Sequence, residues 1–150
     1  MSVTRFTQRR GAVLVIFAAS LITFISFLAL VIDVGFLYAL KARVQGVCDA
    51  TAIATLASLD PAQPHASQER FARAVTRKLL QINGLDLRNY QITLDPPTGD
   101  VPARLRIAGR EEIDAFFAQA IGRRSFTVGV YTQAAATKRP DGRFDASLEE

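Results

Sequence analysis

Tryptophan is absent from the 150 residues, and cysteine, histidine and methionine occur once each. A single cysteine excludes a disulfide framework within the chain. With a single histidine beside it, the chain lacks the donors of a multi-ligand His/Cys metal site. Cys48 and His65 formally supply a thiol and an imidazole, but both fall in or beside a segment that reads as structural helix. There is no Gly-rich phosphate loop, no G-x-S-x-G elbow and no H-E-x-x-H. Glu111 and Glu112 are adjacent, so on a helix they point to different sides and cannot act as facing carboxylates. No enzymatic activity, no cofactor, no metal and no small-molecule substrate is therefore expected. Charge of one sign is also scarce, with 18 Lys and Arg against 14 Asp and Glu. Arg5, Arg9 and Arg10 supply most of the excess, and acids and bases alternate after residue 60. That pattern offers no basic face for counterion release, so nucleic acid is not an expected partner.

What the chain has in quantity is one uninterrupted apolar run. Residues 11–32, GAVLVIFAASLITFISFLALVI, carry no charge. As a helix they span roughly 33 Å, enough for a hydrocarbon core of about 30 Å. Ser20, Thr23 and Ser26 are the polar members, and their hydroxyls can bond the carbonyl one turn back, leaving lipid no unpaired donor. A core helix of a soluble protein is the competing account, but such a helix normally keeps a polar stripe. A cleaved secretory signal is another, yet its apolar region is about 7 to 15 residues long. Here helical patterning continues where cleavage should leave a polar start, which favours an uncleaved anchor in membrane lipid. Arg5, Arg9 and Arg10 precede the run, whereas Asp33 is the first charge after it and Lys41 the next. The positive-inside tendency then places the N-terminus in the cytoplasm.

Beyond Asp33, Leu37, Leu40, Val44 and Val47, then Ala50 or Thr51 and Ala54, recur at helical spacing. One helix over residues 11–59 is expected, ending at Asp60-Pro61 because the residue before proline is pushed out of helical geometry. Its alanines Ala50, Ala52, Ala54 and Ala57 would let another element approach closely. A second helix is expected from a Ser67 cap, with Phe71, Val75, Leu79 and Ile82 facing inward and Asn83-Gly84 closing it. Alternation predicts strands over 90–94, 103–108 and 126–137. Residues 111–121 read as a further helix, with acids in its first turn, Ile113, Phe116, Phe117 and Ala120 on one face and Gly122 as its end. The expected fold is α+β: a long N-terminal transmembrane helix followed by a small antiparallel three-stranded sheet with two helices. The segments are a basic arm (1–10), the span (11–32), its outward extension (33–59), a small α+β domain (61–137) and a loose polar tail (138–150).

The chain also carries a resemblance. Arg10-Gly11-Ala12-Val13, Ile16-Phe17-Ala18, Asp33-Val34-Gly35, Leu37-Tyr38, Lys41, Gln45 and Asp49-Ala50 stand at fixed offsets. Together they resemble the N-terminal region shared by TadE- and TadG-like proteins of the tight-adherence (Flp) pilus system, over residues 9–59. The resemblance implies a pilin-like minor pilin or assembly component of a type IV-like machine serving adhesion and secretion. It would sit in the bacterial inner membrane, face the periplasm and contact other pilus-assembly proteins or pilin-like subunits. It also implies no enzymatic activity for this region. Gly11 follows Arg9-Arg10 as a prepilin-peptidase site would, although Ile16 stands where such substrates have Glu. That departure favours an uncleaved assembly or anchoring subunit. A membrane-tethered periplasmic ligand-binding module is the alternative reading, and a secreted hydrolase a more distant one.

Individual residues have two readings each. Asp33, at the edge of the run, is either a charge partner for another chain or an interfacial carboxylate in water. Gly35 either admits a neighbouring helix or marks a tolerated kink. Leu37, Leu40, Val44 and Val47 form the expected helix-packing face. Cys48 is either an intermolecular thiol on an oxidising side of the membrane or a small buried apolar residue.

Overall fold

The computed structural model describes residues 4–60, 62–97, 102–122, 124–138 and 144–149, and of residues 4–10, 120 and 121 the backbone only. The side chains of Arg5, Arg9 and Arg10, and Pro61 at the expected helix stop, lie outside the described residues. Helices α1 (Thr4–Ala57) and α2 (His65–Ile82) precede the strands β1 (Tyr90–Asp95), β2 (Ala103–Asp114), β3 (Ser125–Lys138) and β4 (Phe144–Leu148). The strands form one sheet in the order β1-β2-β3-β4. The β1–β2 and β3–β4 pairs are antiparallel. The chain makes two compact units: Met1–Leu37 with Asp114–Phe126, and Tyr38–Ile113 with Thr127–Glu150.

In the second unit, the buried face of α1 is Val44, Cys48, Ala52 and Leu56, flanked by Thr51 and Thr55. The expected alanine face is not the one used: Ala52 is buried, whereas Ala50, Ala54 and Ala57 are exposed. Helix α2 shows the same offset. Gln68, Ala72, Thr76 and Leu80 face inward, while Phe71 and Ile82 are exposed. The reason lies in side-chain size. Ala52, Thr55, Ala72 and Thr76 let the two helices approach closely, and the Thr55 and Thr76 hydroxyls bond to each other at 3.1 Å. Ser67 is not the cap of α2; the helix starts two residues earlier, after Pro64, without a side-chain cap. The predicted C-terminal stop is present. Gly84 takes φ +81°, Leu85 N–H donates to Leu80 O at 3.1 Å and Gly84 N–H to Gln81 O at 3.0 Å. That double bond pattern closes a helix only when a left-handed residue follows it, which favours glycine.

The sheet departs from expectation in two places. It has four strands rather than three, because part of the expected loose tail pairs with β3, from Ala134↔Leu148 to Lys138↔Phe144. Phe144 enters the core and Ala146 packs against it, which gives this segment its hold. Second, residues 111–114 are not the start of a helix but the end of β2. Ala103, Leu105, Ile107 and Ile113 are its buried positions, all of one parity, so strand alternation continues through the two glutamates. Gly109 makes this pairing possible: the Tyr90 ring lies over it, and a Cβ there would stand 2.4 Å from two ring carbons. At half-buried positions, Arg106 pairs with Asp95 at 2.9 Å and Arg104 with Glu149 at 3.1 Å.

Candidate functional site

Among the described residues, one helix is long and apolar enough to cross a membrane. All 14 Val, Leu, Ile and Phe side chains between residues 13 and 32 are exposed. Ser20, Thr23 and Ser26 donate to the carbonyls of Ile16, Ala19 and Ile22 at 2.9, 2.9 and 2.8 Å, as their spacing predicts. The helix thus presents hydrocarbon on every side with its hydroxyls satisfied, the arrangement that lipid requires and water disfavours.

The first charge after this run is not solvated. Asp33 is 4% exposed, and its carboxylate accepts hydrogen bonds from three successive backbone amides of its own chain. Phe116 N–H donates to Oδ1 at 3.3 Å, Phe117 N–H to Oδ1 and Oδ2 at 3.2 and 3.1 Å, and Ala118 N–H to Oδ2 at 2.7 Å. These amides begin the short 3-10 turn Ala118–Ile121, which ends at Gly122 with φ +87°. Two flanking amides and a side-chain amide of the turn are also matched. Ala115 N–H bonds Arg124 O at 3.0 Å and Gly122 N–H bonds Gln119 O at 3.0 Å. Gln119 Nε2 donates to Ala115 O at 2.6 Å. The helix expected over 111–121 is therefore replaced by strand end, loop and a single turn. Anchoring its amides on a carboxylate supplies the hydrogen bonds a longer helix would have made internally.

Two further motif residues of α1 are used in the same way in the second unit. Gln45 Nε2 donates to Asp49 Oδ1 at 2.9 Å, to Tyr131 O at 2.9 Å and to Thr132 Oγ1 at 3.0 Å. The Thr132 hydroxyl donates to Asp49 Oδ1 at 2.7 Å. Gln45 and Asp49 thus clamp α1 to β3. Sequence spacing showed these residues as part of a pattern but not their partners, which lie 83 to 87 positions away.

Val44 is buried, and Leu40 and Val47 pack against the same core, so these three serve the chain's own interior. Leu37 is half-buried and Gly35 exposed, with open space where a Cβ would stand at Gly35 and at Gly11. Gly11 lies inside the continuous helix rather than at its start.

Cys48 has no exposed surface. Burial, and then the carboxylates of Asp49 and Glu111, push its thiol up to about 11. A thiol so placed bridges to another chain only if this unit opens. At pH 8 the folded chain is expected to react with iodoacetamide about 100-fold more slowly than the chain in denaturant, since the thiolate is the nucleophile. Intact-mass time courses measure this, and equal rates would restore the intermolecular bridge. The folded thiol holds its proton where the unfolded one loses it, so this group's contribution to stability falls as pH rises from about 8.5 to about 11. Nearby, Tyr90 Oη and Glu111 Oε1 are buried. Burial, followed by the Glu111 carboxylate, raises the Tyr90 phenol.

The class these features define is an α+β protein with one long N-terminal helix suited to a single membrane crossing. Residues 11–58 match the family model Tad, described as "Putative Flp pilus-assembly TadE/G-like". The match ends within a residue of the end of α1. Comparison with curated proteins and with solved structures finds no match.

Proposed function

We propose that this chain is a TadE/TadG-like minor pilin or assembly component of a Flp/Tad pilus. Residues 11–32 hold it in the bacterial inner membrane, with the N-terminus in the cytoplasm and the residues after Asp33 in the periplasm. It acts by packing its helix against pilin-like neighbours and by presenting its α+β residues to assembly proteins. The observation that carries this reading is the uncharged helical stretch, its Val, Leu, Ile and Phe side chains all exposed, lying inside the segment that matches the pilus-assembly family model. Because Leu40, Val44 and Val47 serve the chain's own core and Asp33 its own loop, Gly35 and Leu37 are the residues of the expected contact set left for a neighbour.

Protease added to spheroplasts tests the topology. Digestion of the residues beyond α1, with an N-terminal fragment protected, is expected; full protection would place those residues in the cytoplasm and overturn the reading. Intact mass of the membrane-bound chain then separates its two forms. A mass matching the 16.4 kDa chain marks an uncleaved anchor, and a chain beginning at Ala12 marks a processed, pilin-like subunit.

A further inference from the structure

We infer that residues 115–121 form a second membrane-embedded element, a loop lying in the periplasmic leaflet beside α1 with Phe116 and Phe117 against acyl chains. The inference rests on the reading of residues 11–32 as the membrane span. From Ala115 to Gly122 the sequence AFFAQAIG has no charge, and Arg123 and Arg124 follow at once. An uncharged, aromatic stretch bordered by arginine is the pattern of a segment that enters lipid while its cations stay with the phosphates.

The geometry puts this stretch at the depth of the span. Phe117 and Ala118 join Ile25, Ser26, Ala29 and Leu30 in lining an apolar groove of about 270 Å³. Ile25 lies eight residues before Asp33, about 12 Å along the helix axis, so the loop runs back beside α1 into the apolar zone. Phe116 and Phe117 are nevertheless 65% and 47% exposed. Phe116 meets the exposed Phe36 edge to face, with centroids 5.2 Å apart. An aqueous loop gains nothing from two exposed phenyl rings, whereas a lipid-facing one does. Irregular backbone is costly in hydrocarbon because unpaired amides lack water. Here Asp33, Arg124 O and Gln119 O take the amides of residues 115–118 and 122. Asp33 thus takes three successive donors of a loop that has no water to turn to. The occupant favoured is lipid rather than a second copy, because the exposed rings continue the apolar surface of the span itself.

The absence of tryptophan makes the test direct. Phe117→Trp and, separately, Phe116→Trp each give the full chain one indole, read in phosphatidylcholine/phosphatidylglycerol vesicles with and without acyl-brominated lipid. Phe24→Trp, in mid-span, is the reference. The expected result is blue-shifted emission from both loop variants, lost to bromolipid as it is for Phe24→Trp and insensitive to aqueous acrylamide. Acrylamide quenching of both loop variants while Phe24→Trp responds to bromolipid would overturn the loop proposal and leave the anchor standing. Blue-shifted emission that bromolipid does not touch would assign the loop to a second copy and also overturn it. Failure of Phe24→Trp to respond to bromolipid would remove the anchor reading, and the loop with it.

Discussion

Replacing Leu21 and Phe24 together by arginine is expected to move the chain out of the carbonate-resistant membrane fraction. Both side chains are exposed, so neither replacement removes a contact inside the protein, and the effect isolates the helix's relation to its surroundings. The apolar run holds 14 Val, Leu, Ile and Phe residues, each worth roughly 0.3–0.6 kcal/mol towards insertion, while each central arginine costs roughly 2.5–3.5 kcal/mol. Two arginines therefore cancel what the other apolar residues contribute. The paired alanine variant, Leu21→Ala with Phe24→Ala, is expected to remain membrane-bound, because it removes hydrophobicity without adding charge. Retention of the double-arginine chain in the pellet would mean that something other than this run holds it there.

The second large effect is expected at Asp33. In Asp33→Ala the amides of Phe116, Phe117 and Ala118 lose their acceptor at one stroke. Hydrogen bonds to a charged group contribute about 1.5–3 kcal/mol each, and the loss is not additive across one carboxylate. A local destabilisation of about 3 kcal/mol corresponds to an increase of roughly 100-fold in amide exchange at these three positions. Asp33→Asn, which keeps one acceptor oxygen without the charge, should fall between. Hydrogen exchange followed by mass spectrometry on the peptide covering the loop reads this. Exchange unchanged in Asp33→Ala would show that the carboxylate does not hold the loop.

The Asp33 result also bears on how the family match is understood. The matched segment ends at residue 58, yet Asp33, Gln45 and Asp49 within it bond to residues between 116 and 132. Asp33, which reads from the sequence as a possible partner contact, and the motif residues Gln45 and Asp49 are occupied in docking the chain's own later segments. Gly35 and the large apolar side chains of the span stay exposed and Leu37 half-buried.

Several elements were legible locally because their causes are local. Strand alternation placed β1 and β3 to within a residue or two, and Asn83-Gly84 marked the end of α2 through a backbone conformation that glycine reaches easily. The inward face of α2 was read one position off, because spacing was followed through the large residues Phe71 and Val75 while the interface used Ala72 and Thr76. Residues 111–121 misled for a different reason. Acids ahead of Ile113, Phe116 and Phe117 satisfy the signals of a helix start, and no local feature reveals that an aspartate more than 80 positions earlier receives those amides. β4 was hidden likewise, since its hold is a ladder to β3, with Phe144 in the core and Ala146 against it.

Hydrophobic length and charge distribution act on a segment wherever it is placed, so the amino-acid order alone determined that residues 11–32 form an apolar helix with self-satisfied hydroxyls. Hydrogen-bond partners drawn from distant segments exist only after the chain has folded. The fate of residues 111–122, the fourth strand, and the burial of Asp33 and Cys48 were therefore decided by tertiary structure. There the requirement to pair every buried amide and fill the core outweighed local helical preference.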